Sequence, residues 1–241
     1  MKDLIKGIIK NTGFQIKRYP DYDLARRLLI TSNYKIDTLL DIGANAGQYA
    51  SNMRELGYVK KIISFEPLAS AFGQLKRKSK HDNNWILNNY ALGDEDGKTI
   101  INVSGNSVSS SILNILPMHV QSAPDSKYLA KDDIQIKKLD SIFDLFYNEG
   151  DSVMMKIDTQ GYEKNVLDGA NESLKKIKII QLEMSVVPLY ENEMLINDMI
   201  NYLDNLGFQL FSLENGFSNA TTGQLLQVDG IFVRKDICNI D

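Results

Sequence analysis

The stretch TLLDIGANAGQYASNM, residues 38–53, decides how this chain is read. An apolar run closes on Asp41, a turn containing Gly43 and Gly47 follows, and a helical pattern opens near Ala46. A strand, glycine turn and helix in this order make a cradle for a nucleotide-type ligand. Glycine lets the main chain approach closely, and the first helical turn presents N–H groups that lack partners. The spacing narrows the ligand. In the dinucleotide fingerprint the middle of three glycines is bare, so that a pyrophosphate rests on the backbone. Asn45 fills that place here. Its side chain crowds a pyrophosphate and can hydrogen-bond an amino-acid carboxylate, which suits S-adenosylmethionine better than NAD.

Working outward, apolar segments alternate with amphipathic ones. Strands are expected at 37–42, 60–66, 85–91, 152–158 and 177–184, with helices at 21–32, 46–57, 68–80 and 162–175. That alternation implies right-handed βαβ units and a parallel sheet. The end of the chain departs from it. A helix at 192–206 leads to FQLFSL (208–213), a polar loop ENGFSNATTGQ (214–224) and LLQVDGIFVRK (225–235), which reads as an antiparallel hairpin. The expected fold is α/β, a Rossmann-like, mostly parallel sheet of the class I methyltransferase kind with a C-terminal antiparallel hairpin. Residues 98–139, with the serine-rich SGNSVSSSI (104–112) and two prolines, read as a long loop or lid.

Composition sets limits. Hydrophobic residues at 43% and charged residues at 24% are enough apolar material to cover both faces of one sheet. A net charge of −4 offers no basic field for a phosphate backbone, so a nucleic acid is not an expected partner. The single cysteine, Cys238, fits a reducing compartment. No apolar run approaches the roughly 18 residues of a membrane span, and a cytoplasmic location is expected. Residues 1–36 read as an N-terminal helical extension. Within it MKDLIKGIIKNTGFQIKR (1–18) sets an apolar stripe against lysines, which suits a cap packed on the domain or a partner subunit, or a weak contact with an anionic membrane surface.

Ligands of open α/β sheets sit beyond the carboxyl ends of the strands. Those ends supply Asp41, Glu66, Ala91, Asp158 and Glu183. Glu66 stands 23 residues after Gly43, about where an acid takes ribose hydroxyls, and its alternative role is to cap the helix after Pro67. Asp41, Gly43, Asn45 and Gly47 are expected to hold the amino-acid part of the ligand, and Asn89 and Ala91 to border its base. Lys156, inside an apolar strand, should pair with a strand-end carboxylate. Asp158 and Glu183 should be neighbours able to share a proton or a hard divalent ion such as Mg²⁺, either of which would help deprotonate an alcohol. For Glu163 a first-turn role and an active-site role stand about even. Of the two histidines, His81 in KRKSKHD (76–82) reads as solvated, and His119 in the lid is a rival base. A nicotinamide-dependent oxidoreductase and a non-catalytic binding module are the alternatives the same sheet allows.

Several of these motifs occur together in one family. DIGANAGQY (41–49), SFEP (64–67), NYALGDEDG (89–97), KLDS (138–141), KIDTQGYE (156–163), QLEMS (181–185) and VDGIF (228–232) resemble the FkbM methyltransferases, from about residue 37 to residue 233. The resemblance implies that residues 37–241 form an S-adenosylmethionine-dependent methyltransferase domain. It also implies an acceptor hydroxyl on a sugar, polysaccharide or glycosylated small molecule, methylated by in-line displacement. It carries the cofactor role onto Asp41, Gly43, Asn45, Gly47 and Glu66, and the family's acidic strand-end positions onto Asp158 and Glu183.

Overall fold

The computed structural model describes residues 12–13 and 19–238. The stripe at 1–18, and with it the membrane-contact expectation, therefore lies outside the described residues apart from Thr12 and Gly13. Helix α1 (Tyr22–Asn33) is capped by Asp21, which accepts the N–H of Leu24 at 2.9 Å. Strand β1 (Thr38–Ile42), helix α2 (Gln48–Glu55), strand β2 (Lys61–Phe65), helix α3 (Ala69–Lys78) and strand β3 (Trp85–Asn88) follow in turn. The middle of the chain holds β4 (Ala91–Leu92), β5 (Gly97–Ser104), the short helix α4 (Pro117–Ser122) and β6 (Tyr128–Lys137). Then come β7 (Val153–Ile157), α5 (Glu163–Asp168), β8 (Ile177–Ser185), α6 (Ile196–Asn205), β9 (Phe208–Asn215) and β10 (Gln227–Arg234).

The main sheet runs β3-β2-β1-β7-β8-β10-β9. Its first five strands are parallel, and β10 is antiparallel to both neighbours. The fold is the expected α/β, Rossmann-like class I methyltransferase arrangement. The chain winds outward from β1 to β3 and then returns to β7 on the other side of β1, so the switch point lies between β1 and β7.

Strand alternation sends successive side chains to opposite faces. One face buries Leu40, Ile42, Met155, Ile157, Ile180 and Leu182 under α5 and α6; the other buries Leu39, Ile62, Met154, Ile179 and Ile231 under α1 and α2. Ile30, Tyr34 and Ile36 belong to that second core, so α1 packs on this face of the sheet. At the carboxyl edge of the same face the apolar ladder gives way to polar rows. Ser64, Asp41, Lys156 and Gln181 are register neighbours across four strands, and Glu183, Asp229 and Glu214 follow one step further on.

The structure corrects three local expectations. The strand expected at 85–91 splits: β3 stays in the main sheet, while Ala91 and Leu92 cross to a second sheet of order β4-β6-β5. Asn89 makes the corner by donating to the carbonyls of Glu66 and Pro67. The expected lid begins and ends in the antiparallel pair β5 and β6, hidden in the sequence because most of β6 is solvent-exposed and polar. The helix expected at 162–175 stops at Gly169, where a Cβ would lie 1.8 Å from the carbonyl oxygen of Gly93, and resumes only as a 3₁₀ turn, Ser173–Lys176.

Candidate active site

A cavity of about 350 Å³ opens at the carboxyl edge of the sheet, at the switch between β1 and β7. Its size falls within the usual range of small-molecule sites, about 300 to 1,000 Å³. One end is formed by the turn after β1 and the end of β2, the other by the ends of β7, β8 and β10 together with α1 and α2.

Glu66 dominates the first end. It is 4% exposed, and its two oxygens accept the N–H groups of Asn45 and Leu68, each at 2.8 Å. Burial raises its pKa to about 7, against the pull of those two amides. An ionised carboxylate offers about four acceptor sites, so two remain for a ligand in the cavity that Glu66 lines. The cap role foreseen as its alternative is present too, since Leu68 precedes α3. Phe65, Leu68, Ala91 and Leu92 supply an apolar wall beside it. A buried acid next to an apolar slot fits the ribose and adenine of S-adenosylmethionine.

The turn itself differs from expectation. Asn45 lines the cavity at φ 46°, but its side chain is engaged by the chain: Oδ1 accepts from Ala46 N at 2.7 Å, and Nδ2 donates to Ser107 O at 3.2 Å. It ties the glycine turn to the segment after β5. Gly43 also lines the cavity, yet what requires glycine there is the chain, since a Cβ would lie 1.8 Å from the carbonyl oxygen of Asp158. Gly47 does not line it; a Cβ there would meet Leu75 at 2.7 Å and Trp85 at 3.1 Å, so this position serves helix packing. Asn89 is turned to the two carbonyls already named, and only Ala91 of that pair borders the cavity. Asp41 lies fully buried beneath the floor, where it accepts Ser64 Oγ at 3.1 Å and faces Lys156 Nζ at 3.7 Å.

At the second end Lys156 meets two carboxylates, Asp158 at 3.2 Å and Asp41 at 3.7 Å. Burial opposes its charge, but Asp158 and Asp41 outweigh it, and its pKa is raised. Asp158 lines the cavity with both oxygens engaged, one by Lys156 Nζ and the other by Gln160 Nε2 at 2.9 Å. Gln160 Nε2 also donates to Glu183 at 2.8 Å. An amide therefore stands between the two acids expected to share a proton or an ion. Glu183 does not line the cavity; burial, reinforced by the negative charge of Asp158, holds its pKa well above the usual carboxylate range. Among the described residues no group of three or more His, Cys, Asp or Glu is arranged to hold a metal ion. Glu163 is buried and binds its own turn, accepting Thr159 N–H at 2.9 Å. His119 is buried against Tyr190 and Phe217, outside the cavity lining, with its pKa lowered to about 4 by burial. His81 is exposed.

Among the cavity residues that escaped the sequence reading are Arg27, Tyr49, Gln181 and Asp229. Tyr49 Oη donates to Gln181 at 2.7 Å, Gln181 donates to Glu214 at 3.2 Å, and Arg27 Nε donates to Glu214 at 2.9 Å. Gln181 and Asp229 had the signal that exposed Lys156, a polar side chain inside an apolar strand, in IIQLE (179–183) and VDGIF (228–232).

The sequence profile of the methyltransferase FkbM domain matches residues 41–210. No curated protein matches the chain in sequence. Among solved structures it is similar to the magnesium protoporphyrin IX methyltransferase of Synechocystis PCC 6803 with bound S-adenosylmethionine. There the identity is 11%, the TM-score 0.49, and the coverage 97% of this chain and 96% of that one. It is similar also to an rRNA methylase of Streptococcus thermophilus, with 9% identity, a TM-score of 0.47, and coverage of 92% and 99%. With the family match spanning well over half of its length, the chain belongs to the FkbM family of S-adenosylmethionine-dependent methyltransferases.

Proposed function

We propose that the protein transfers the methyl group of S-adenosylmethionine to a hydroxyl of a sugar, polysaccharide or glycosylated small molecule. The observation that carries this reading is the character of the second end of the cavity. It is walled by hydrogen-bonding side chains, Asp158, Gln160, Gln181, Asp229 and Ser110, and its two cations, Arg27 and Lys156, are already paired with acids. Such a wall suits a neutral polyol and gives a phosphate backbone little to hold.

S-adenosylmethionine, when bound, supplies an electrophilic methyl group. The chain holds its ribose through Glu66 and leaves the acceptor to the opposite end, where Asp158 is fixed by Lys156 and Gln160. Bringing two reactants into one cavity in line is worth about 7 to 11 kcal/mol of barrier. Methyl-labelled S-adenosylmethionine incubated with fractionated cell extract should place label in carbohydrate, recovered as a methoxy sugar after hydrolysis. Label confined to protein or RNA would reject this acceptor class.

The donor end makes its own prediction. Glu66→Gln should weaken S-adenosylmethionine binding by about 10- to 100-fold in calorimetry, the worth of a charge-assisted pair of hydrogen bonds. With the Glu66 pKa near 7, the ionised acceptor is lost as the pH falls. Wild-type affinity should therefore decline by up to about tenfold per pH unit below 7, while the variant stays flat. Parallel pH profiles for the two proteins would remove Glu66 from the ribose site.

A further inference from the structure

Asp229 stands apart from the other acids of the cavity. It sits on β10, opposite Glu183 and Glu214 in register, and lines the cavity. Every other carboxylate at this end is engaged: Asp158 by Lys156 and Gln160, Glu183 by Gln160 and Gln227, and Glu214 by Arg27 and Gln181. The Asp229 carboxylate makes neither a hydrogen bond nor an ion pair with any described residue. A half-buried acid left without a partner, on the wall of a cavity, is available to a ligand hydroxyl.

We propose that Asp229 accepts the proton of the acceptor hydroxyl, while Asp158 acts as a positioning residue. This rests on the hydroxyl acceptor proposed above. In the step, the acceptor O–H bond breaks and its proton passes to an Asp229 oxygen. The acceptor oxygen bonds to the methyl carbon, and the methyl–sulfur bond breaks with its electron pair left on sulfur. Asp229 then releases the proton to solvent. The groups around it suit the task. Glu183, Glu214, Asp158 and the Tyr49 hydroxyl face it from β8, β9, β7 and α2, while Lys156 and Arg27 supply positive charge from β7 and α1. Burial first and Asp158 second raise its pKa to about 6, so it is ionised at neutral pH yet basic enough to take a proton.

Two measurements test this, one of rate and one of binding. At methyl-labelled S-adenosylmethionine concentrations kept saturating at every pH, label transfer to whichever fraction of extract accepts it should rise with pH, reach half its maximum near pH 6, and then stay level. Asp229→Asn should cut the rate by about a hundredfold or more and remove that inflection, and Asp229→Glu should restore part of both. Asp158→Asn should slow transfer while keeping the inflection. The fraction that takes the label reports on the acceptor class, and the inflection reports on Asp229, so the two readings fail separately. The binding measurement needs neither an acceptor nor turnover. Sinefungin, which carries an ammonium where the transferable methyl would lie, should bind wild type about tenfold more tightly than S-adenosylhomocysteine at pH 7.5. The preference should vanish in Asp229→Asn. A wild-type pH profile in Asp229→Asn, or a sinefungin preference that the substitution leaves intact, overturns the proposal.

Discussion

Gly43→Ala should yield little folded protein, with an expected loss of about 4 kcal/mol or more in urea unfolding. The residue sits at φ +75°, where a side chain is already strained, and its Cβ would lie 1.8 Å from the carbonyl oxygen of Asp158. That oxygen belongs to backbone, so no rotamer relieves the overlap. Relief requires β1 and β7 to part, yet the two are bound in register from Thr38 to Ile42 and again where Asp158 N donates to Ile42 O at 3.0 Å. Gly73→Ala is the matching control. It lies inside α3 with nothing within 4 Å of the added carbon, and should be neutral or stabilising by up to about 1 kcal/mol. Similar unfolding midpoints for the two variants would mean that the crossing of β1 and β7 is looser than described.

Lys156→Met should be nearly as damaging, costing about 3 to 5 kcal/mol at neutral pH. Removing the ammonium leaves Asp41 fully buried with only Ser64 as a partner. The cost should depend on pH in a fixed direction. Burial already raises the Asp41 pKa, and loss of Lys156 raises it further. A carboxyl whose folded pKa exceeds its unfolded value favours the fold fully below the unfolded pKa, near 4, and loses that advantage as the pH rises through the folded value. The variant should therefore lie closest to wild type in acid and fall behind as the pH rises. Adding Asp41→Asn should recover part of the loss. Urea midpoints at pH 5, 6.5 and 8 check this, and a gap that is constant across the series would show that Asp41 does not feel Lys156.

The end of the cavity around Glu66 was legible in the sequence because the residues that shape it are local. Gly43, Asn45 and Glu66 lie within one βαβ unit, and the glycine spacing and the strand end both mark them. The same logic found Lys156, whose charge stands out in an apolar strand. It misassigned Asp41, which ends a strand as a cleft residue would, because strand position does not reveal which acid is consumed as a counter-charge beneath the floor. The opposite end was hidden for a different reason. Arg27, Tyr49, Gln181 and Asp229 come from four separate elements and meet only once the sheet order is known. Strand β6 escaped because residues 129–133 are exposed in succession, so no alternation announces a strand there.

Arg27 and Asp229 both lie outside residues 41–210, the span matched by the family profile, yet they form one wall of the cavity together. On the function proposed above, the residues assigned to the methyl donor are thus encoded apart from two of the groups assigned to the molecule being decorated. A lineage could retune what it modifies by revising an amino-terminal helix and a terminal hairpin, leaving the inherited middle of the gene untouched.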